Sequence, residues 1–221
     1  MSSAGEKQSP RRTFLAVPIW AVLAAVVAVP IVLAALSPLL AYRSVPYTVG
    51  GFAGILCLAV LFIQPVLAAG YLPGLRLAEA RKWHRRAGWA IVTLVALHIG
   101  GLYLTSPPDT LDALMLVAPT PFSVYGVIAL WGIVLTVLLV SLRRRMGMRS
   151  SIWRIVHNGL ALIVVVATVV HALQIEGTME PISKWALCLA VLLVTSLTLL
   201  DLRIVKPLLR WRSGEPGESE D

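Results

Sequence analysis

Six apolar segments, each long enough to cross a bilayer, follow one another along the chain at approximately 14–41, 48–72, 85–104, 122–142, 153–174 and 183–205. A hydrocarbon core of about 30 Å takes roughly 20 apolar residues in a helix. A segment inside it must satisfy its own backbone hydrogen bonds, which restricts spanning structures to helices and closed barrels. The expected fold is therefore all-α, a polytopic bundle of six transmembrane helices. Composition agrees, because 58% hydrophobic against 14% charged residues leaves too little polar surface for a water-soluble domain of 221 residues.

The net charge of +8 would suit a nucleic-acid partner if its cations shared one surface, but they do not. Apart from Arg43 and Lys184, the Arg and Lys residues lie in the N-terminal tail, the connections between segments 2 and 3 and between 4 and 5, and the C-terminal end. This alternation reads as topology. It predicts cytoplasmic termini, outward connections 1–2, 3–4 and 5–6, a multi-pass protein of the inner (plasma) membrane, a lipid environment and no nucleic-acid partner.

The expected organisation is a cytoplasmic tail at 1–13, one transmembrane domain at 14–205 and a second cytoplasmic tail at 206–221. The opening "SPRRTFLAV" resembles a twin-arginine export signal. The apolar run behind it is longer than a leader's and leads into further spans, so an uncleaved first helix is expected. Cys57 and Cys188 sit in apolar segments without paired spacing and read as small buried hydrophobes. No phosphate-cradling loop or dinucleotide fingerprint is present.

Four histidines carry the chemistry. His84 and His98 bound "HRRAGWAIVTLVALH"; His157 and His171 bound "HNGLALIVVVATVVH". Each pair is 14 residues apart. On a helix this places both side chains on nearly one face, about 21 Å apart along the axis. Segments 3 and 5 run in the same direction through the membrane, so His84 and His157 share the cytoplasmic depth while His98 and His171 share the outer depth. Polar residues inside spans are costly and ordinarily face a partner within the bundle. Singly, each histidine reads as an ordinary hydrogen-bonding or interfacial residue. Four at matched spacing read as two layers.

Zinc gathers its ligands at one point, which histidines about 21 Å apart on one helix do not permit. Two imidazoles facing across a planar macrocycle suit haem iron. Absence of a C-x-x-C-H attachment sequence points to non-covalent haem b, two per chain. With both axial positions filled, the expected task is electron transfer, with no catalytic side chain assigned.

The stretches "RKWHRRAGWAIVTLVALH" and "RRRMGMRSSIWRIVHNGLALIVVVATVVHAL" resemble the ferric reductase-like transmembrane domain shared by ferric-chelate reductases, NADPH oxidases and the haem-binding membrane subunit of methionine-sulfoxide reductase systems. The resemblance covers roughly residues 48–205. It implies His84 and His157 as ligands of the inner haem iron and His98 and His171 as ligands of the outer one. Ferric reductases and NADPH oxidases usually continue into a flavin and nicotinamide domain, where this chain has a short tail. The implied donor is a separate cytoplasmic flavin reductase, carrying FAD or FMN, or quinol. The implied acceptor is a ferric chelate, dioxygen or a periplasmic oxidoreductase. The methionine-sulfoxide subunit is also a stand-alone membrane protein, but its usual pattern has no histidine at the position of His84.

Arg154, one turn before His157, is the strongest candidate for a haem-propionate partner, ahead of Arg85, Arg86 and Arg149. Gly88, Gly100, Gly101 and Gly159 fall near the histidines and serve either macrocycle approach or helix packing. Trp83, Trp89, Trp131, Trp153 and Trp185 read first as interfacial or packing residues, and Thr93 and Thr168 as backbone-bonded. Asp109, Asp112, Glu176 and Glu180 read first as solvated loop carboxylates, the alternative being attraction of a ferric complex or a basic partner. Gln64 and Pro65 predict a kink with a polar group facing the bundle.

The expected function is thus a haem-dependent membrane oxidoreductase or its electron-transfer subunit, a cytochrome b moving electrons from a cytoplasmic donor to an outer acceptor. The alternatives are a single-haem subunit of a methionine-sulfoxide reductase-type system, a quinol-oxidising di-haem subunit, and a haem-free metal or proton transporter.

Overall fold

A segment in hydrocarbon can leave no backbone amide unpaired, and the computed structural model, which describes residues 10–213, answers this with helices throughout. The helices are α1 (Pro10–Ala35), α2 (Val45–Ala69), α3 (Leu77–Thr105), α4 (Pro107–Leu114), α5 (Pro121–Leu142), α6 (Ser150–Gln174), α7 (Pro181–Leu200) and α8 (Lys206–Ser213). A π-helical turn, Asp201–Val205, joins α7 to α8 without a break. Six of these stretches are long and apolar enough to cross a membrane, as expected. Residues 1–9 and most of the acidic C-terminal stretch, 214–221, lie outside the described residues.

Local chemistry sets the ends. Ser44 caps α2 by accepting from the Tyr47 amide at 3.4 Å, and Glu180 caps α7 by accepting from Ile182 (2.9 Å) and Ser183 (2.7 Å). Proline opens α4, α5 and α7, where its missing N–H costs nothing. α2 stops at Gly70, whose φ of +70° turns the chain left-handed while Gly70 and Tyr71 amides close on the Leu67 and Val66 carbonyls.

Several details differ from the sequence reading, beginning with α1, which ends at Ala35 rather than near 41, a short 3-10 turn at Pro38–Leu40 following it. α3 begins at Leu77 rather than at 85, where the Glu79 carboxylate accepts from the Arg76 amide at 3.2 Å and from its guanidinium at 2.9 Å. Arg81, Lys82, Arg85 and Arg86 stay exposed on that first stretch, where long basic side chains can reach the aqueous boundary. The outward connection between segments 3 and 4 contains the short helix α4. Its Asp109 accepts from Ser106 at 2.7 Å in the first turn. Pro65 lies within α2 without interrupting it.

α2 packs chiefly against α3, and α5 against α6, giving two hairpins; α7 lies against α1, α2 and α6. The core sits where α2, α3, α6 and α7 meet, with Leu58, Leu187, Cys188 and Val191 essentially inaccessible and Cys57, Leu61, Phe62, Ile91, Val164, Val165 and Val169 around them. Both cysteines are buried and free. Trp20 of α1 donates to the Pro73 carbonyl at 3.3 Å, tying α1 to the α2–α3 connection. The apolar residues Val17, Val22, Val29 and Val32 of α1 are exposed. Such a face is unsuited to water and natural in lipid.

The α2–α3 crossing is the tightest, and glycine makes it so. A Cβ on Gly101 would lie 2.5 Å from the Pro46 carbonyl oxygen and 2.8 Å from the Gly50 Cα. Backbone meets backbone here, as small residues allow in membrane bundles. This draws α3 onto α2 at the level of His98, and it leaves the histidine-bearing side of α3 turned toward α6.

Candidate cofactor site

The histidines of α3 face those of α6 in the two pairs expected. His84 and His157 have ring centroids 6.4 Å apart with planes at 81°. His98 and His171 stand 6.3 Å apart at 86°. α3 and α6 are each packed mainly on a hairpin neighbour rather than on one another, so the imidazoles, not the backbones, meet between the hairpins.

In the His98 layer both rings are held the same way. His98 Nδ1 lies 2.8 Å from the Gly50 carbonyl of α2, and His171 Nδ1 lies 2.8 Å from the Phe122 carbonyl of α5. A carbonyl can only accept, so each Nδ1 carries the proton and each Nε2 is left with its lone pair. One helical turn beyond each carbonyl stands a glycine against the same ring. A Cβ on Gly54 would lie 3.0 Å from His98 Nδ1, and one on Gly126 would lie 2.9 Å from His171 Nδ1 and Cε1. The repeated device is a carbonyl that fixes the tautomer and a bare α-carbon that gives the ring room.

The His84 layer is built differently. His84 Nδ1 lies 3.2 Å from the Gln64 backbone carbonyl, and the Gln64 side-chain amide reaches the same nitrogen. The buried His157 Nδ1 has no hydrogen-bond partner among the described residues, nor has Trp153 Nε1. Those two rings stack at 5.0 Å with planes 6° apart, and the Arg143 guanidinium lies 4.3 Å from the Trp153 centroid. Trp153 therefore belongs to the site, whereas Trp83, Trp89, Trp131 and Trp185 are exposed as interfacial residues are.

Cations gather beside this second layer. Arg154 is half-buried one turn before His157, while Arg85, Arg86 and Arg149 are exposed. With the Asn158 amide in the orientation its surroundings satisfy, Arg203, from the π-helical turn, donates through Nε (2.6 Å) and Nη2 (2.7 Å) to the side-chain oxygen of Asn158, next in sequence to His157. Arg203 was not among the residues singled out in the sequence, nor were Gly54, Gly126 and Asn158. Asn158 adjoins His157 in the sequence, which was a signal; for Arg203, Gly54 and Gly126 it is position relative to the histidines, which exists only after packing. Of the glycines that were named, Gly101 serves the α2–α3 crossing, Gly88 faces Gln64, and Gly100 and Gly159 have no neighbour within reach of a Cβ. Thr93 bonds the Trp89 carbonyl at 3.2 Å. The Glu180 carboxylate is held below its usual range by the Ser183 and Ile182 amides it caps.

Among the described residues no three His, Cys, Asp or Glu side chains come together at one point, which leaves only the facing imidazole pairs as ligands. Two metal–imidazole bonds of about 2 Å, each extended to its ring centre, span about 6 Å. The observed separations of 6.4 and 6.3 Å match this. A metal-ligating histidine ordinarily donates its other ring N–H to a carbonyl or carboxylate. His98 and His171 already do so. The residues fit a metal held between two histidines, with the other positions supplied by a macrocycle.

Comparison with known proteins bears on the same residues. The family model described as "Ferric reductase like transmembrane component" matches residues 50–168, over half of the chain, and so includes His84, His98 and His157 together with Gly54, Gln64 and Gly126. No curated protein and no solved structure matches the chain. Members of that family generally bind haem. The chain belongs to the ferric reductase-like transmembrane family, and is a multi-pass membrane oxidoreductase of the electron-transferring, cytochrome-like kind.

Proposed function

We propose that the chain is a transmembrane cytochrome b that takes electrons from a cytoplasmic donor, a separate flavin reductase or quinol, and passes them to an acceptor on the outer face. Ferric chelate and a periplasmic reductase are the acceptors of choice. His98 and His171 would hold one haem b, and His84 and His157 a second. A haem held by two histidines supplies a one-electron couple with no open position for substrate.

The observation that carries this reading is the His98–His171 pair: rings at the separation of a shared metal, each with its Nδ1 on a backbone carbonyl and its Nε2 free. The chain's own residues orient the imidazoles, fix the proton on Nδ1 and keep water away within an apolar bundle. Arg154 and Arg203 lie beside the second pair, where they would neutralise carboxylates of a bound porphyrin. The distribution of Arg and Lys supports cytoplasmic termini and puts the His84 layer on the cytoplasmic side, nearest the donor, in the inner membrane.

The test is a reduced-minus-oxidised absorption spectrum of protein purified from haem-replete cells, with haem counted per chain. A low-spin b-type spectrum near two haems per chain is expected. A count of one favours the single-haem reading, for which the unequal build of the two layers is the specific support. A spectrum without haem overturns the proposal and favours proton or metal transport by the four histidines.

A further inference from the structure

The two layers differ in what stands against Nδ1, and Nδ1 decides whether a histidine can ligate through Nε2. A neutral imidazole has one N–H and one lone pair. Ligation at Nε2 requires the proton on Nδ1, which an acceptor facing Nδ1 favours. His98 and His171 meet backbone carbonyls at 2.8 Å, which accept and never donate.

His84 Nδ1 meets two groups, the Gln64 backbone carbonyl at 3.2 Å, which accepts, and, closer, the Gln64 side-chain amide, which can do either. In the orientation its surroundings satisfy, the Gln64 side chain donates from nitrogen to His84 Nδ1 at 2.6 Å and to the His84 carbonyl at 3.2 Å, while its oxygen accepts from the Gly88 amide at 3.0 Å. A donor at Nδ1 demands the lone pair there and moves the ring proton to Nε2. Turning the amide over brings its oxygen to Nδ1 and allows the other tautomer. The turned amide then sets oxygen against the His84 carbonyl oxygen and nitrogen against the Gly88 N–H, so the turn is opposed. Without the side chain, Nδ1 faces only the Gln64 backbone carbonyl at 3.2 Å, which accepts.

We propose that Gln64 is a positioning residue that holds His84 in the tautomer unable to ligate through Nε2, so that the His98 layer takes its haem first and the His84 layer fills only when the amide turns. The inference rests on the haem reading of the two layers. It gives the polar group in the last two turns of α2 a task, and it accounts for a chain with four histidines in which one layer is fully prepared and the other conditional.

Two measurements on the full-length chain in detergent test it, wild type beside Gln64→Met, an unbranched apolar replacement of similar size. The first reads ring nitrogens by nuclear magnetic resonance in haem-free protein carrying nitrogen-15 histidine. His98 and His171 are expected as Nδ1–H and His84 as Nε2–H, with His84 moving to Nδ1–H in Gln64→Met. Wild-type His84 already in the Nδ1–H form overturns the inference whether or not haem binds. The second measurement titrates haem b. Wild type is expected to bind a first haem tightly and a second more weakly. Gln64→Met should tighten the second by roughly tenfold, a change of the size second-shell partners produce, and His84→Ala should abolish it in either background. Two haems bound alike in wild type and Gln64→Met would overturn the gate while leaving the cytochrome standing. A chain that takes no haem, yet shows the expected tautomers, would sustain the role of Gln64 and overturn the reading beneath it.

Discussion

His98 of α3 and His171 of α6 stand 6.3 Å apart, ring centre to ring centre, with planes at 86°, and each is anchored by a carbonyl from the helix that precedes its own in the chain. Such anchoring fixes both direction and protonation, so this pair should bind metal without rearrangement. Replacing His98 or His171 by alanine is expected to remove one haem and leave the other. Haem per chain, followed through a potentiometric titration, should fall from two components to one. Loss of both from each single variant would show that the layers are not separate sites.

Gly126 gives a sharper test, because it leaves every ligand in place. An alanine methyl there would lie 2.9 Å from His171 Nδ1 and Cε1, closer than van der Waals contact permits. Gly126→Ala should push the ring off the Phe122 carbonyl and weaken haem in this layer by at least tenfold, about what loss of a second-shell partner costs. Gly54→Ala should act on His98 in the same sense and more mildly. Gly100→Ala, with open space around it, should leave the spectrum unchanged.

At Gly101 the obstruction is backbone, which no side-chain rotation relieves. Gly101→Ala would drive a methyl toward the Pro46 carbonyl and the Gly50 Cα. The α2–α3 crossing should open, with a loss of about 1–3 kcal/mol, the usual range for overpacking. Thermal unfolding in detergent measures this. Because Gly50 also supplies the carbonyl to His98, the His98 layer should lose haem before the His84 layer does.

Glu180 predicts a pH dependence. Its carboxylate is held below the ordinary carboxylate range by the amides it caps. A depressed native pKa means that the stabilisation is present above the unfolded value and disappears as pH falls through the native one. Glu180→Ala should therefore lower the melting temperature at pH 7. The gap between variant and wild type should close once the medium is acid enough to protonate the native carboxylate. A gap that persists unchanged at low pH would assign the effect to something other than the charged cap.

Much of the fold was legible because hydropathy and backbone satisfaction act locally: six apolar segments became six spanning helices. The pairing of His84 with His157 and of His98 with His171 was legible for a related reason, since equal spacing on two parallel helices leaves one way to match depths. What escaped notice depends on contacts between distant segments. Trp153 carries the same composition signal as Trp83 or Trp89, yet only Trp153 lies under a histidine. Gly54 and Gly126 look like any glycine in a membrane helix until a ring is placed against them. The early start of α3 was hidden by its charges, which hydropathy counts against a helix although long basic side chains reach water from one.

The carbonyl and the glycine that prepare each ring of the His98 layer come from the same hairpin as the ring itself: α2 serves His98 and α5 serves His171. During synthesis the first hairpin can thus enter the membrane with its ligand already aimed, before the second has left the ribosome. Each half carries one prepared ring of that layer. A group bound between them would then bridge two halves that α7, packed on α2 of one and α6 of the other, already holds together.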